Sequence, residues 1–174
     1  MSGASIPCFA GADYVGAGPQ LNVIAANDIG AGIGGGAHMQ IGFNLGNIGA
    51  FHIYPSFQGW WGREEIYLSG FDYIDLDVIE LSFNADMRYY FPVPVSLILA
   101  PYAGFGFAAI VNINEYEREY GRFRDDTDVG PGFNFFGGIE FPLGVQKIFG
   151  EFRGKVGEGY SLMKFIGGLT FTIL

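Results

Sequence analysis

Val78-Ile79-Glu80-Leu81-Ser82-Phe83-Asn84-Ala85-Asp86-Met87-Arg88-Tyr89-Tyr90-Phe91 is the stretch that decides the fold. One face carries Ile79, Leu81, Phe83, Ala85, Met87, Tyr89 and Phe91; the other carries Glu80, Ser82, Asn84, Asp86, Arg88 and Tyr90. Side chains of a strand point alternately to opposite faces, so strict alternation over this length is a strand signature and not a helical stripe. The same period sorts the rest of the chain. Met39, Ile41 and Phe43 oppose His38, Gln40 and Asn44; Phe51, Ile53 and Phe57 oppose His52, Tyr54 and Gln58; Phe105, Phe107 and Ala109 oppose Gly104, Gly106 and Ala108. Phe133, Phe135 and Ile139 oppose Asn134, Phe136 and Glu140, while Phe152 and Val156 lie opposite Glu151, Arg153 and Lys155. A weaker strand over residues 14–24 and a last one through Leu169, Phe171 and Ile173 bring the expected total to eight strands of roughly 9–14 residues.

Composition narrows the class. Hydrophobic residues make up 49% of the 174, charged ones 16%, and 29 are glycine. Disorder requires the opposite balance, and this glycine density is expensive in helices, at about 1 kcal/mol per position. The uncharged stretch Val93 to Val111 is long enough for a spanning helix, but Pro94, Pro101, Gly104 and Gly106 interrupt it and its side chains alternate. A net charge of −9 argues against a nucleic-acid partner. A single cysteine, Cys8, excludes a disulfide scaffold. Residues 1–13 show neither a basic start nor an apolar run, so they read as an N-terminal extension, with residues 14–174 as one domain. Export then predicts that the numbering starts after a removed leader.

The connections are read as alternating in character. Gly46-Asn47, Pro92-Val93-Pro94-Val95 and Pro142-Leu143-Gly144 read as tight links at one end; Gly62 to Asp77 and Asn114 to Asp128 read as long loops at the other. Of the 18 acidic residues, 11 fall in those two long segments. Short turns on one side and long loops on the other are the habit of transmembrane barrels. Strand length agrees, since crossing a bilayer on a tilted strand takes about 9–11 residues and soluble strands average about 5–6.

The polar faces hold a further clue. By parity they collect Glu80, Asp86, Glu140 and Glu151 against Arg88, Arg153, Lys155 and Lys164, four acids and four bases. A narrow lumen needs its ions paired because desolvation is costly, and eight strands leave an interior just wide enough for side chains. Counting depth along each strand, Glu80 falls level with Lys155 and Lys164, Asp86 with Glu151 and Arg153, and Arg88 with Glu140. The expectation is cross-lumen ion pairs that plug the barrel; scattered charges in a wet channel are the alternative. Tyr89, Phe91 and Phe141 at one end, with Trp61 and Tyr160 at the other, suit the two headgroup zones.

At this point the sequence resembles a known group. Arg88-Tyr89-Tyr90-Phe91-Pro92 followed by Pro101-Tyr102-Ala103-Gly104-Phe105-Gly106 looks like the central hairpin of small outer-membrane β-barrel proteins of the OmpA/OmpX type. Phe136-Gly137-Gly138-Ile139-Glu140-Phe141-Pro142 is similar to their sixth strand. The last strand, with Gly167, Leu169, Phe171 and Ile173, looks like their C-terminal assembly signal, although it ends on Leu174 and not on an aromatic residue. The resemblance implies an eight-stranded antiparallel up-and-down barrel in the lipid of a bacterial outer membrane. That family holds anchors, adhesins, narrow pores and a few lipid-modifying enzymes, and fold does not choose among them.

Catalytic and cofactor chemistry finds little support. His38 and His52 are the only histidines, both on lumen faces and at different depths, which disfavours a shared metal or an outward Ser–His pair for acyl transfer. The glycine run Gly30 to Gly36 precedes no helix, so it is no phosphate loop. Asp125-Asp126-Thr127-Asp128, with Asp72, Asp75 and Asp77, lacks the EF-hand pattern and reads as solvated. The expectation is a non-enzymatic barrel without cofactor, structural or adhesive, with Tyr67, Tyr73, Tyr116 and Tyr120 of the long loops either binding a surface ligand or stabilising the loops. Two alternatives stand beside it: a narrow pore, and a self-associating subunit of an extracellular filament.

Overall fold

A computed structural model describes residues 12–26, 30–67, 73–93, 98–118, 121–157 and 160–173, with side chains described for these except 26, 30, 64–67, 73–75, 116–118, 121–125 and 160. Eight strands follow in order: β1 (Tyr14–Ala26), β2 (Gly30–Asn44), β3 (Ala50–Tyr67), β4 (Tyr73–Tyr90), β5 (Ala100–Arg118), β6 (Gly121–Leu143), β7 (Gln146–Gly157) and β8 (Tyr160–Thr172). Each pairs antiparallel with its neighbour in sequence, and β1 closes on β8, giving a barrel without a free edge along its shared height. Closure requires that every strand tilt and that the register stagger. Among the described residues no helix is long and apolar enough to cross a membrane.

The alternation turns the molecule inside out relative to a soluble sheet. Phe83 is 62% exposed, Phe107 66% and Leu21 73%, whereas Asp86 and Arg153 are 0% exposed. The apolar faces form the outer surface and the ionic faces fill the centre. Large lumen rings fit because glycine stands opposite them on the neighbouring strand: Phe136 beside Gly104, Tyr102 beside Gly138, Phe149 beside Gly168. A Cβ on any of the three glycines would come within 2.6 Å of the ring.

Two expectations about the connections are corrected. The segments Gly62 to Asp77 and Asn114 to Asp128 are not loops. They continue as strand, pairing from Gly62↔Val78 up to Tyr67↔Tyr73 and from Asn114↔Asp126 up to Arg118↔Gly121, with a register shift at Tyr116/Glu117. The reason is a change of solvent and not of backbone. The outward row Trp61–Ile79–Ile113–Thr127 is followed by the row Arg63–Asp77–Glu115, where the apolar belt ends and charge begins. Polarity there marks water, not the end of a strand. Likewise the link at Pro92-Val93-Pro94-Val95 is not tight: β5 starts at Ala100, so the link after β4 spans 91–99. The other links at that end are short: a 3-10 turn over Gly46–Ile48 and a two-residue turn at Gly144 and Val145, with Gly46 (φ 68°) and Gly144 (φ 64°) in the left-handed region that glycine tolerates.

The barrel wall is therefore uneven. β3 to β6 run 18, 18, 19 and 23 residues, against 13, 15, 12 and 13 for β1, β2, β7 and β8. β2 stops pairing with β3 at Gly32↔Gly62, and β7 stops pairing with β6 at Gly132↔Gly157. Above those points β3 to β6 rise as a four-stranded wall whose flanks, residues 63–67 and 121–131, have a strand neighbour on one side only among the described residues.

Candidate functional site

The lumen is stacked in layers. Nearest the extended wall, Ile24, Trp60, Val78 and Leu162 form a buried apolar cluster with Leu76 packed against it. Beneath it Lys155 and Lys164 both donate to Oε1 of Glu80, at 2.7 and 3.0 Å. The next layer is a four-ion cluster. Arg153 lies 2.8 Å from Asp86 and 2.7 Å from Glu151, and Arg88 donates to the other oxygen of Glu151 at 2.6 Å. Tyr102 Oη also donates to Glu151, at 3.1 Å, and Asn134 donates to Asp86 at 3.1 Å. The Arg88 guanidinium lies 3.4 Å from the centre of the Tyr54 ring and 4.6 Å from that of Tyr102, which replaces lost hydration with ring faces. Toward the short-turn mouth, Tyr90 donates to Glu140 at 3.0 Å and receives Gln40 at 2.7 Å, while Lys147 pairs with Glu140 at 2.9 Å. A cavity of about 660 Å³ opens there, lined in part by Asp13, Tyr14, His52 and Lys147.

All eight charged residues singled out from the sequence are buried in this lumen. Two of the three expected groupings coincide with the distances above. The third does not: Arg88 sits on Glu151, and Glu140 is held by Lys147 and Tyr90. Depth counted along single strands ignores tilt. The register runs Arg88↔Gly104, Gly104↔Phe136 and Phe136↔Arg153, so Arg88 shares a row with Arg153 and both converge on Glu151. Lys147 is a further lumen base beyond the four expected, and it shares parity with Glu151 and Arg153. The aromatic partners Tyr54, Tyr90 and Tyr102 were also missed, and their inward parity was the available signal.

The histidines lie apart in separate bonds, His38 Nε2 with Thr170 Oγ1 at 2.9 Å and His52 Nδ1 accepting from Gln40 Nε2 at 2.6 Å. No group of metal-ligating side chains occurs among the described residues. Of the tyrosines expected in loops, Tyr67, Tyr73 and Tyr116 stand on β3, β4 and β5, which corrects their loop placement, and Tyr120 lies outside the described residues. Leu169 and Phe171 face outward on β8, Gly167 pairs with Gly150 and Leu21, and Ile173 lies just beyond the strand, its N–H donating to Val15 O at 2.8 Å. At the lower rim Tyr89 Oη donates to the carbonyl of Ile48 and stacks edge-on with Phe91, whereas Trp61 is half exposed near the top of the apolar belt.

Neither a family model nor a curated protein matches the chain. Solved structures do. The attachment invasion locus protein Ail of Yersinia pestis, crystallised with the heparin analogue sucrose octasulfate, superposes with a TM-score of 0.55 at 13% identity, covering 92% of this chain and 97% of that one. The chain shares the fold of small eight-stranded outer-membrane β-barrels. The N-terminal β-barrel domain of OprF from Pseudomonas aeruginosa gives 0.51 at 16% identity, covering 91% and 97%. At these identities the likeness concerns the path of the backbone, so the charge layers and the acidic wall are properties to be argued from this chain's own residues.

Proposed function

We propose that the chain is a non-enzymatic barrel of a bacterial outer membrane, its lumen closed by the charge layers, and that its extended β3–β6 wall is an adhesive contact surface. The observation that carries the reading is the wall itself: four strands continuing beyond the apolar belt, with flanks at 63–67 and 121–131 that have a strand neighbour on one side only among the described residues. An open strand edge is a template for another chain, and charged side chains normally restrict what pairs there. The segments 62–77 and 114–128 hold eleven carboxylates against four arginines, Arg63, Arg118, Arg122 and Arg124. Ail is crystallised with a sulfated sugar. An acidic wall repels such a polyanion, so the partner that fits here is a basic protein surface. Tyr67, Tyr73, Tyr116 and Tyr120 then serve as apolar anchors within that surface, since tyrosine is enriched at interface centres. Gly167, Leu169, Phe171 and Ile173 act as the assembly signal.

The test compares cells displaying the full chain with cells displaying a barrel whose two ribbons are shortened to tight turns below Arg63 and Glu115. Attachment to surfaces coated with a cationic protein should fall with the shortened form, and attachment to heparin-coated surfaces should be low for both. Equal attachment by the two barrels, with both confirmed folded by their gel mobility before and after boiling, would remove the contact role.

A further inference from the structure

Charge is not balanced evenly down the lumen. Arg88 and Arg153 share Asp86 and Glu151, and Lys147 is matched by Glu140. In the layer beneath the apolar cluster, Lys155 and Lys164 meet one carboxylate, Glu80, and all three side chains are 0% exposed. Two ammonium groups and one carboxylate leave a single positive charge in excess among the described residues of that layer. Asp128 belongs to the Glu80 row through Asn112, but it is exposed at the rim. An uncompensated ion in a low-dielectric interior is strongly disfavoured.

A second observation falls on the same row. Trp60 stands opposite Glu80, Gly34 opposite Trp60, and Asn22 opposite Gly34. Trp60 Nε1 and Asn22 Nδ2 are buried N–H donors, and Asn22 Oδ1 a buried acceptor, without a hydrogen-bond partner among the described residues, in residues 4% and 1% exposed. Buried donors of this kind normally have a protein, water or ligand acceptor. Val78 and Leu162, each two residues nearer the extended wall than Glu80 and Lys164, complete an apolar cover with Ile24 and Trp60.

We propose that this layer binds one small monovalent inorganic anion of the halide class, held by the Lys155 and Lys164 ammonium groups with Asn22 and Trp60 as neutral donors. A single negative charge matches the excess, whereas a divalent anion such as sulfate would reverse it. The enclosing apolar residues favour an ion with a small hydration shell to lose.

The test uses the full chain in detergent, unfolded by urea in chloride and in gluconate at equal ionic strength. A ligand bound only by the folded state lowers the unfolding constant by the factor one plus its concentration over Kd, about 11-fold at ten times Kd. Wild type should show that saturable chloride response. Lys164→Gln leaves Lys155 and Glu80 one to one and should lose it. Crystals grown in bromide should show an anomalous peak beside the two ammonium groups, a readout that does not depend on the variant folding. Identical unfolding in both salts together with no bromide peak would overturn the site and assign the excess proton to bulk solvent, one lysine being neutral. A Lys164→Gln barrel that responds to chloride as wild type does would overturn it as well.

Discussion

Glu151 is the side chain on which the middle of the lumen converges. One of its oxygens takes Arg153, the other takes Arg88 and Tyr102. Replacing it with glutamine keeps the shape and removes the charge, leaving two buried guanidinium groups to Asp86 alone. Loss of one partner from a buried ion cluster costs about 3–5 kcal/mol, so Glu151→Gln should unfold at clearly lower urea than wild type. The Arg63–Asp77 pair at 2.8 Å is a contrast, because Arg63 is 50% exposed. Screened surface pairs contribute about 0–1 kcal/mol, so Arg63→Ala should shift the urea midpoint little. Equal shifts in the two variants would contradict the proposed sealing of the lumen. Gly138 is informative for a different reason: a Cβ there meets the Tyr102 ring at 2.6 Å. The same Cβ meets the Gly150 carbonyl oxygen at 2.5 Å, so Gly138→Ala should destabilise by about 1–3 kcal/mol through crowding, measured in the same urea assay, and a neutral result would mean that both the ring and the β7 backbone can give way.

At the level of the element, the strands were legible where water and lipid stay the same along their length, and illegible where the environment changes. In β4 the alternation from Ile79 to Phe91 needs no tertiary information. Above Ile79 the next outward position is Asp77, and the sequence beyond it, with Asp75 and Asp72, looks like loop by composition. The pairing Arg63↔Asp77 and Asp77↔Glu115 shows the ladder continuing through it. Shortening both ribbons below that row should leave the barrel intact, because β3 to β6 keep their lumen contacts and belt. The expected outcome is unchanged heat-modifiable migration in SDS; a shortened chain that no longer resists SDS would make the wall part of the folding core.

At the level of the whole molecule, the inverted arrangement has its own test. Phe83, 62% exposed, faces outward in the middle of β4. A lysine on a barrel's lipid face costs up to about 2–4 kcal/mol near the midplane, whereas a soluble protein tolerates lysine on its surface. Phe83→Lys should therefore impair folding into lipid vesicles while remaining far less harmful in urea-free detergent. Equal folding yields in the two media would argue against a bilayer around this belt. The proposed closure of the lumen makes a second prediction at this scale: reconstituted wild type gives no steady single-channel current in planar bilayers, and regular unitary steps would revive the pore reading.

Period-two alternation, strand length and the four acids and four bases of the polar faces are local properties. A residue's face depends only on its own parity, so the eight strands and the inside-out assignment follow from the chain itself, as does the inward face of the eight charged residues, though Lys147 adds a ninth. Partnership is not local. Arg88 reaches Glu151 and not Glu140 because closure tilts the strands and staggers the register, and no single strand carries that angle. The unequal wall is of the same kind: acidic composition announced water, and only cross-strand pairing could reveal that the backbone there remains a sheet.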